Sequence, residues 1–304
     1  MYEKNNAGFS EEVFRNPPSE YRGAPFWSWN GKLNKERLEK QILYMKQMGF
    51  GGYHIHSRIG LETEYLGEEF LELVKHCTQF GAENDMLTWL YDEDKWPSGA
   101  GGGRVTEDNR YASRYLLFSQ NYYPDGYLDR KIVPTSRLTK NGVVTMICRY
   151  EVNLDNGKLL SYRRLKEGEN AFNVWYAYRV VTEPLSWFNN QPYVDTLNPE
   201  AIQKFIAVTH EPYYQAVGQY FAKEVPAIFT DEPSFHKQEF MVDGAAGEDV
   251  GIAYTDNLEM HFCSRYGYSL LDYLPEVFWE RADGALSQIR YHYYDCVAWL
   301  FSEA

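Results

Sequence analysis

Acidic, imidazole and indole side chains gather at a few places in this sequence, each time at the end of a short apolar run. Trp27, Trp29 and Asn30 close the first run, and His54, His56 and Arg58 close the second. Asp92, Glu93, Asp94 and Trp96 follow the third, Asp195 and Asn198 the fourth, and Asp231 and Glu232 the fifth. Two carboxyl groups flanking a glycosidic bond suffice to hydrolyse it: one protonates the leaving oxygen, and the other activates water or attacks carbon. Glu232 is the leading catalytic carboxylate, because it directly follows an apolar strand and Pro233 stops that strand from continuing. Asp231 and Glu93 are the other catalytic candidates. Trp27, Trp29, Asn30, His54, His56, Arg58, Asp92, Asp94, Trp96 and Asp195 are candidate substrate-binding groups. The same acids could hold a hard cation such as calcium, which takes six to eight oxygen ligands. His54 and His56 share a strand face and permit a metal pair, but no third matched histidine supports zinc. The glycines at 99 and 101–103 lack the lysine of a phosphate-binding loop and read as a hinge.

Each cluster also has a bland reading. A lone strand histidine is commonly a hydrogen-bonded core group, Asp195 or Asn198 can cap a helix, and Trp27 and Trp29 can be core. Separate coincidences explain poorly why every strand end is polar. One shared rim explains it better, since parallel α/β folds collect their sites at the C-terminal ends of strands.

The elements that must position these groups follow from periodicity. Residues 1–20 are polar, contain Pro17-Pro18, and read as an extended lead-in. Residues 24–29 read as a strand ended by Asn30-Gly31. Asn34 caps a helix running to Met48, with Leu38, Ile42, Met45 and Met48 as its apolar stripe and Gly49 as its stop. Residues 52–57 form a second strand, 68–82 an amphipathic helix, and 87–91 a third strand. This alternation predicts a parallel sheet with right-handed crossovers. The rhythm breaks after Lys95, and Asp155-Asn156-Gly157 marks a hairpin between two β-rich runs. Residues 192–197 read as a fourth strand, Asn198-Pro199-Glu200 opens a helix to about residue 222, and 226–230 is a fifth strand. Residues 255–273 and 285–303 look helical. The expected organisation is a lead-in (1–20), the first part of an α/β barrel (21–109), an antiparallel β insertion after the third strand (110–185), and the barrel's continuation (186–304). Five strands fall short of the eight of a (β/α)8 TIM barrel, and the sequence stops within an apolar helical stretch. The expectation is therefore an incomplete barrel, a fragment of a longer protein.

Composition narrows the partners. The 304 residues are 44% hydrophobic and 24% charged, ordinary for a chain that buries a core. A formal net charge of −13 repels phosphate backbones, which argues against nucleic acid. No apolar run is long enough to span a membrane. The opening MYEKNNAGFSEE lacks the apolar core of a secretory signal, so a cytoplasmic location is expected. Cys77, Cys148, Cys263 and Cys296 are scattered and read as reduced thiols. The 17% aromatic content suits either a large core or a ring-lined sugar cleft.

The segments PFWSWNG, GGYHIHSRIGL, LTWLYDEDKWPSGAGGGRV, VDTLNPEAIQKFIAVTHEPYY and IFTDEP resemble, in that order, the barrel of the family 106 glycoside hydrolases, the α-L-rhamnosidases. The resemblance spans about residues 22–240, and YDEDKWPSG and FTDEP are its most specific parts. It implies a (β/α)8 barrel with β-rich additions and inverting hydrolysis of terminal α-L-rhamnosides, assisted by a bound calcium and no nucleotide cofactor. By the same resemblance Trp29, His56, Arg58, Asp92, Glu93, Asp195 and Glu232 line the site. Family members are usually far longer, so a partner carboxylate could come from a later strand. The alternative is a carbohydrate-binding or truncated barrel protein without catalysis.

Overall fold

The computed structural model describes residues 8–128, 141–236, 239 and 249–304. Residues 1–7 of the expected lead-in and 129–140 of the expected insertion lie outside the described residues. In chain order the elements are α1 (Glu11–Arg15), β1 (Phe26–Trp29), α2 (Lys35–Gln47), β2 (Gly52–Ser57), α3 (Glu68–Glu83) and β3 (Leu87–Tyr91). Next come β4 (Arg114–Ser119), β5 (Gly126–Leu128), β6 (Gly142–Asp155), β7 (Lys158–Leu165) and β8 (Val174–Thr182). They are followed by α4 (Pro199–Val217), β9 (Ile228–Phe229), β10 (Val250–Ala253), α5 (Leu258–Tyr266), α6 (Leu270–Tyr273), α7 (Pro275–Phe278) and α8 (Gln288–Glu303). The fold is mixed α/β with a parallel and an antiparallel sheet. The chain divides into two compact units, Met1–Val105 with Gln203–Pro233, and Thr106–Ile202 with Ser234–Ala304. Among the described residues no helix is long and apolar enough to cross a membrane.

The first unit holds the parallel sheet, in the order β1-β2-β3-β9. Asn34 caps α2, its Oδ1 accepting the Arg37 N–H at 3.0 Å, and Gly49 ends the helix with φ +89°, as its position predicted. The lead-in is not wholly extended: Ser10 caps the single turn of α1, and Arg15 reaches Glu11 one turn back. One sheet face buries Trp27, Trp29, Ile55 and Leu90 with Ile42 of α2 and Phe70 and Val74 of α3. The opposite face carries Phe26, His54, Trp89 and Phe229, whose rings contact one another. Phe26 and Phe229 stand on the two outer strands, yet their centroids lie 5.2 Å apart. In a flat sheet those strands would be about 14 Å apart, three strand spacings. The sheet is therefore strongly curled toward this ring-lined face.

The second unit is built on an antiparallel sheet in the order β10-β4-β8-β6-β5, with β7 also pairing β6. Asn156 and Gly157, with φ +48° and +76°, turn β6 into β7, as the Asp-Asn-Gly signal predicted. Phe118, Trp175 and Ile252 pack with Phe262, Leu270, Trp279, Tyr293 and Val297 of the α5–α8 layer. Two expectations need correction. Residues 192–197 form no strand: Val194 makes only an isolated bridge to Ala112, and Pro192 offers no N–H to a ladder. The helix expected over 255–273 is broken after Tyr266, where Gly267 adopts φ +79°, and the short strand β10 precedes it.

Candidate active site

The site forms where β3 and β9, adjacent and parallel, run out at their C-terminal ends. Leu90 pairs with Ile228 and Tyr91 with Phe229, so Asp92–Asp94 and Thr230–Glu232 leave the sheet side by side. Ser98 ties the two chain segments together. Its Oγ donates to Asp92 Oδ1 at 2.7 Å and accepts the Asp231 N–H at 2.9 Å, while its own N–H donates to the Asp231 carbonyl at 2.9 Å. The other Asp92 oxygen accepts Thr230 Oγ1 at 2.5 Å and lies 3.1 Å from His210 Nε2 of α4. Asp92 is fully buried, and both its oxygens are engaged.

Glu93 is equally buried but faces backbone. Its Oε1 accepts the N–H groups of Asp94 and Gly102 at 2.9 and 2.7 Å, and its Oε2 those of Gly99 and Gly101 at 3.0 and 2.8 Å. The glycine-rich segment thus folds around a carboxylate of its own chain. Gly101 and Gly102, at φ +58° and +67°, adopt the left-handed backbone that lets successive N–H groups converge. Burial pushes the Glu93 carboxyl up to about 7, opposed by these N–H groups. A carboxylate this occupied holds a loop in place.

Glu232 is the exposed acid of the cluster, and its Oε2 accepts Trp96 Nε1 at 3.1 Å. Its backbone sits at φ +47°, a conformation that costs a side-chain-bearing residue about 1–3 kcal/mol and concentrates at functional sites. Asp231 beside it is half-buried. Burial raises its proton affinity and the Glu232 charge raises it further, while Arg58 acts the other way and Asp92 adds to the rise. The acids after β3 and β9 and the arginine after β2 therefore share one electrostatic neighbourhood.

His56 is buried, and its ring stacks on Tyr91 at 3.8 Å between centroids. Nδ1 lies 3.0 Å from the Ser57 carbonyl, which places the proton there and leaves the Nε2 lone pair unused. Burial drives its pKa down to about 4, so the ring is neutral at pH 7. His54 sits one pleat lower, stacked on Trp89, with Nδ1 3.2 Å from the Ala24 carbonyl, and burial lowers its pKa too. Arg58 and Asn30 are exposed after β2 and β1. Asp94 is buried and pairs with Lys95 at 3.5 Å.

Two candidates stand elsewhere in the first unit. Trp27 and Trp29 face the helices: Trp27 donates to Gln41 of α2 at 2.7 Å, and Trp29 packs edge-on against Phe70 of α3. They are core, because alternation along β1 turns them away from the face that carries Phe26. Asp195 belongs to the second unit, where it accepts Thr255 Oγ1 at 2.7 Å and the Leu197 N–H at 3.2 Å beside Arg114 at 3.5 Å. Burial lifts its carboxyl to about 6, against Thr255 and Arg114. Ser98, Thr230 and His210 escaped sequence reasoning, since a hydroxyl in a glycine-rich run and a histidine inside a helix carry no spacing signal. Among the described residues no group of three or more His, Cys, Asp or Glu is arranged to hold a metal ion. With their oxygens already engaged, Asp92 and Glu93 offer no open donor set for the calcium implied by the resemblance.

No protein-family model matches the chain, and no curated protein matches it in sequence. Among solved structures it is similar to a rhamnosidase from Novosphingobium sp. PP1Y, at 12% identity and a TM-score of 0.53. The likeness covers 96% of this chain and 45% of that one, so the chain spans less than half the length of its structural neighbour. The fold is rhamnosidase-like.

Proposed function

We propose that the chain carries the acidic rim of a glycoside hydrolase that releases terminal deoxy-sugars of the α-L-rhamnoside type. The observation that carries this reading is the Asp92–Ser98–Asp231 bridge, which brings acids distant in sequence to one end of one parallel sheet. The curl of that sheet and the rhamnosidase-like fold support its being part of a (β/α)8 barrel of the family 106 kind. In this reading Asp231, which keeps its proton longer, protonates the leaving glycosidic oxygen, and Glu232 activates water. Trp96 fixes the Glu232 carboxylate, and Ser98 fixes the Asp231 backbone. Arg58 tempers the negative charge as the proton leaves Asp231. Asp92 and Glu93 organise the rim rather than react.

The test is Glu232→Gln assayed on an aryl α-L-rhamnoside and a panel of other aryl glycosides. The rate on the preferred glycoside is expected to fall about a thousandfold while the circular dichroism spectrum is unchanged. Undiminished turnover removes Glu232 from the mechanism. Sugar binding without release from any glycoside in the wild-type chain makes the rim a binding surface.

A further inference from the structure

We propose that the antiparallel sheet carries a second site, which binds a saccharide bearing a carboxylate. A cavity of about 570 Å³, within the size range of small-molecule sites, opens on this sheet where β6 bulges between Met146 and Cys148. Among the described residues, three cations, Arg149, Arg164 and Lys166, line it against one carboxylate, Glu167, on a chain whose net charge is −13. Asp272 takes up Arg164 at 3.0 Å, and nearby Glu169 is committed to Arg163 and to the Lys166 N–H. Arg149 and Lys166 supply the remaining positive charge. Arg149 pairs across the sheet with Leu165 on β7 and Tyr176 on β8, and its Nη2 donates to the Lys166 carbonyl at 2.8 Å. One guanidinium thus holds the wall that carries the ammonium group.

The aromatic half of the site is a tyrosine pair. Tyr122, 63% exposed, meets Tyr176 edge to face at 5.6 Å, so a ring stands in solvent at the edge of the cavity. Exposed rings stack on the C–H faces of pyranoses, and a guanidinium or ammonium group pairs with a carboxylate. A neutral sugar leaves the cations unexplained, and an inorganic anion leaves the tyrosines unexplained. A uronic-acid ring uses both.

Isothermal titration of the chain with cellobiouronic acid, cellobiose and inorganic sulfate tests this. The uronate is expected to bind about tenfold more tightly than cellobiose and more weakly as salt rises. Lys166→Ala is expected to cost about tenfold in its affinity and Tyr122→Ala about fivefold. Both side chains lie at the surface of the site, and circular dichroism checks that each variant folds. The proposal is overturned if the uronate does not bind, if cellobiose binds equally well, or if sulfate binds as tightly and Tyr122→Ala changes nothing. Binding is also expected to survive Glu232→Gln, so this site and the proposed catalytic rim stand or fall separately.

Discussion

Four backbone N–H groups converge on Glu93, whereas Glu232, with the same functional group, meets one indole N–H at the surface. Their matching positions in the two acidic segments say nothing about this difference; it lies in which atoms the fold aims at each. Glu93 has its carboxyl raised from 4.5 to about 7, so it binds its proton more tightly folded than unfolded. The stability this contributes is fully present below pH 4.5 and is lost as pH rises through 7. Replacing it with Gln leaves two N–H groups without an acceptor, an expected loss of about 1–3 kcal/mol at pH 5. The gap between wild type and Glu93→Gln narrows toward pH 8, as urea unfolding at the two pH values will read; a gap that widens with pH contradicts the assignment. Asp195 makes a parallel case in the second unit, and Arg114→Met, which strips its charged partner, is expected to cost about 3–5 kcal/mol. Residue identity at strand ends was legible in sequence. Commitment to internal hydrogen bonds was not, because it depends on loop paths that no periodicity encodes.

Elements were most legible where local chemistry and tertiary packing agree. The second and third strands fall where alternation and apolar runs put them, and α2 lies between its asparagine cap and its glycine stop. The hairpin between β6 and β7 is set by Asn156-Gly157, whose left-handed backbone only a few residues tolerate. Gly157→Ala is expected to destabilise the chain by about 1 kcal/mol, measured by urea unfolding, through strain at φ +76°. The apparent strand at 192–197 failed for the converse reason. Its apolar pattern is right, but Tyr193 and Asp195 bond irregularly to Ser113 and Tyr111, and the Asp195 side chain takes the Leu197 N–H. Side-chain capture of the backbone ended an extended run before a ladder could form. β10 was missed because four residues are too short a window for any period to register.

Over the whole molecule, the chain leaves the parallel sheet after the third strand, builds a β-rich unit, and returns to place Thr230 against Asp92, 138 positions away in sequence. Sequence order hinted at this return through resuming strand and helix patterns, but the pairing of β9 with β3 is a long-range contact visible only in three dimensions. The proposed catalysis depends on that meeting of acids. Its most direct test is the titration of the Asp231 side-chain carboxyl, followed by ¹³C NMR in the wild type, in Glu232→Gln and in Arg58→Ala. Asp231 is expected to titrate above the ordinary aspartate range, lower once the Glu232 charge is removed, and higher still without Arg58. An Asp231 that titrates like a solvent-exposed aspartate, unmoved by either substitution, contradicts it.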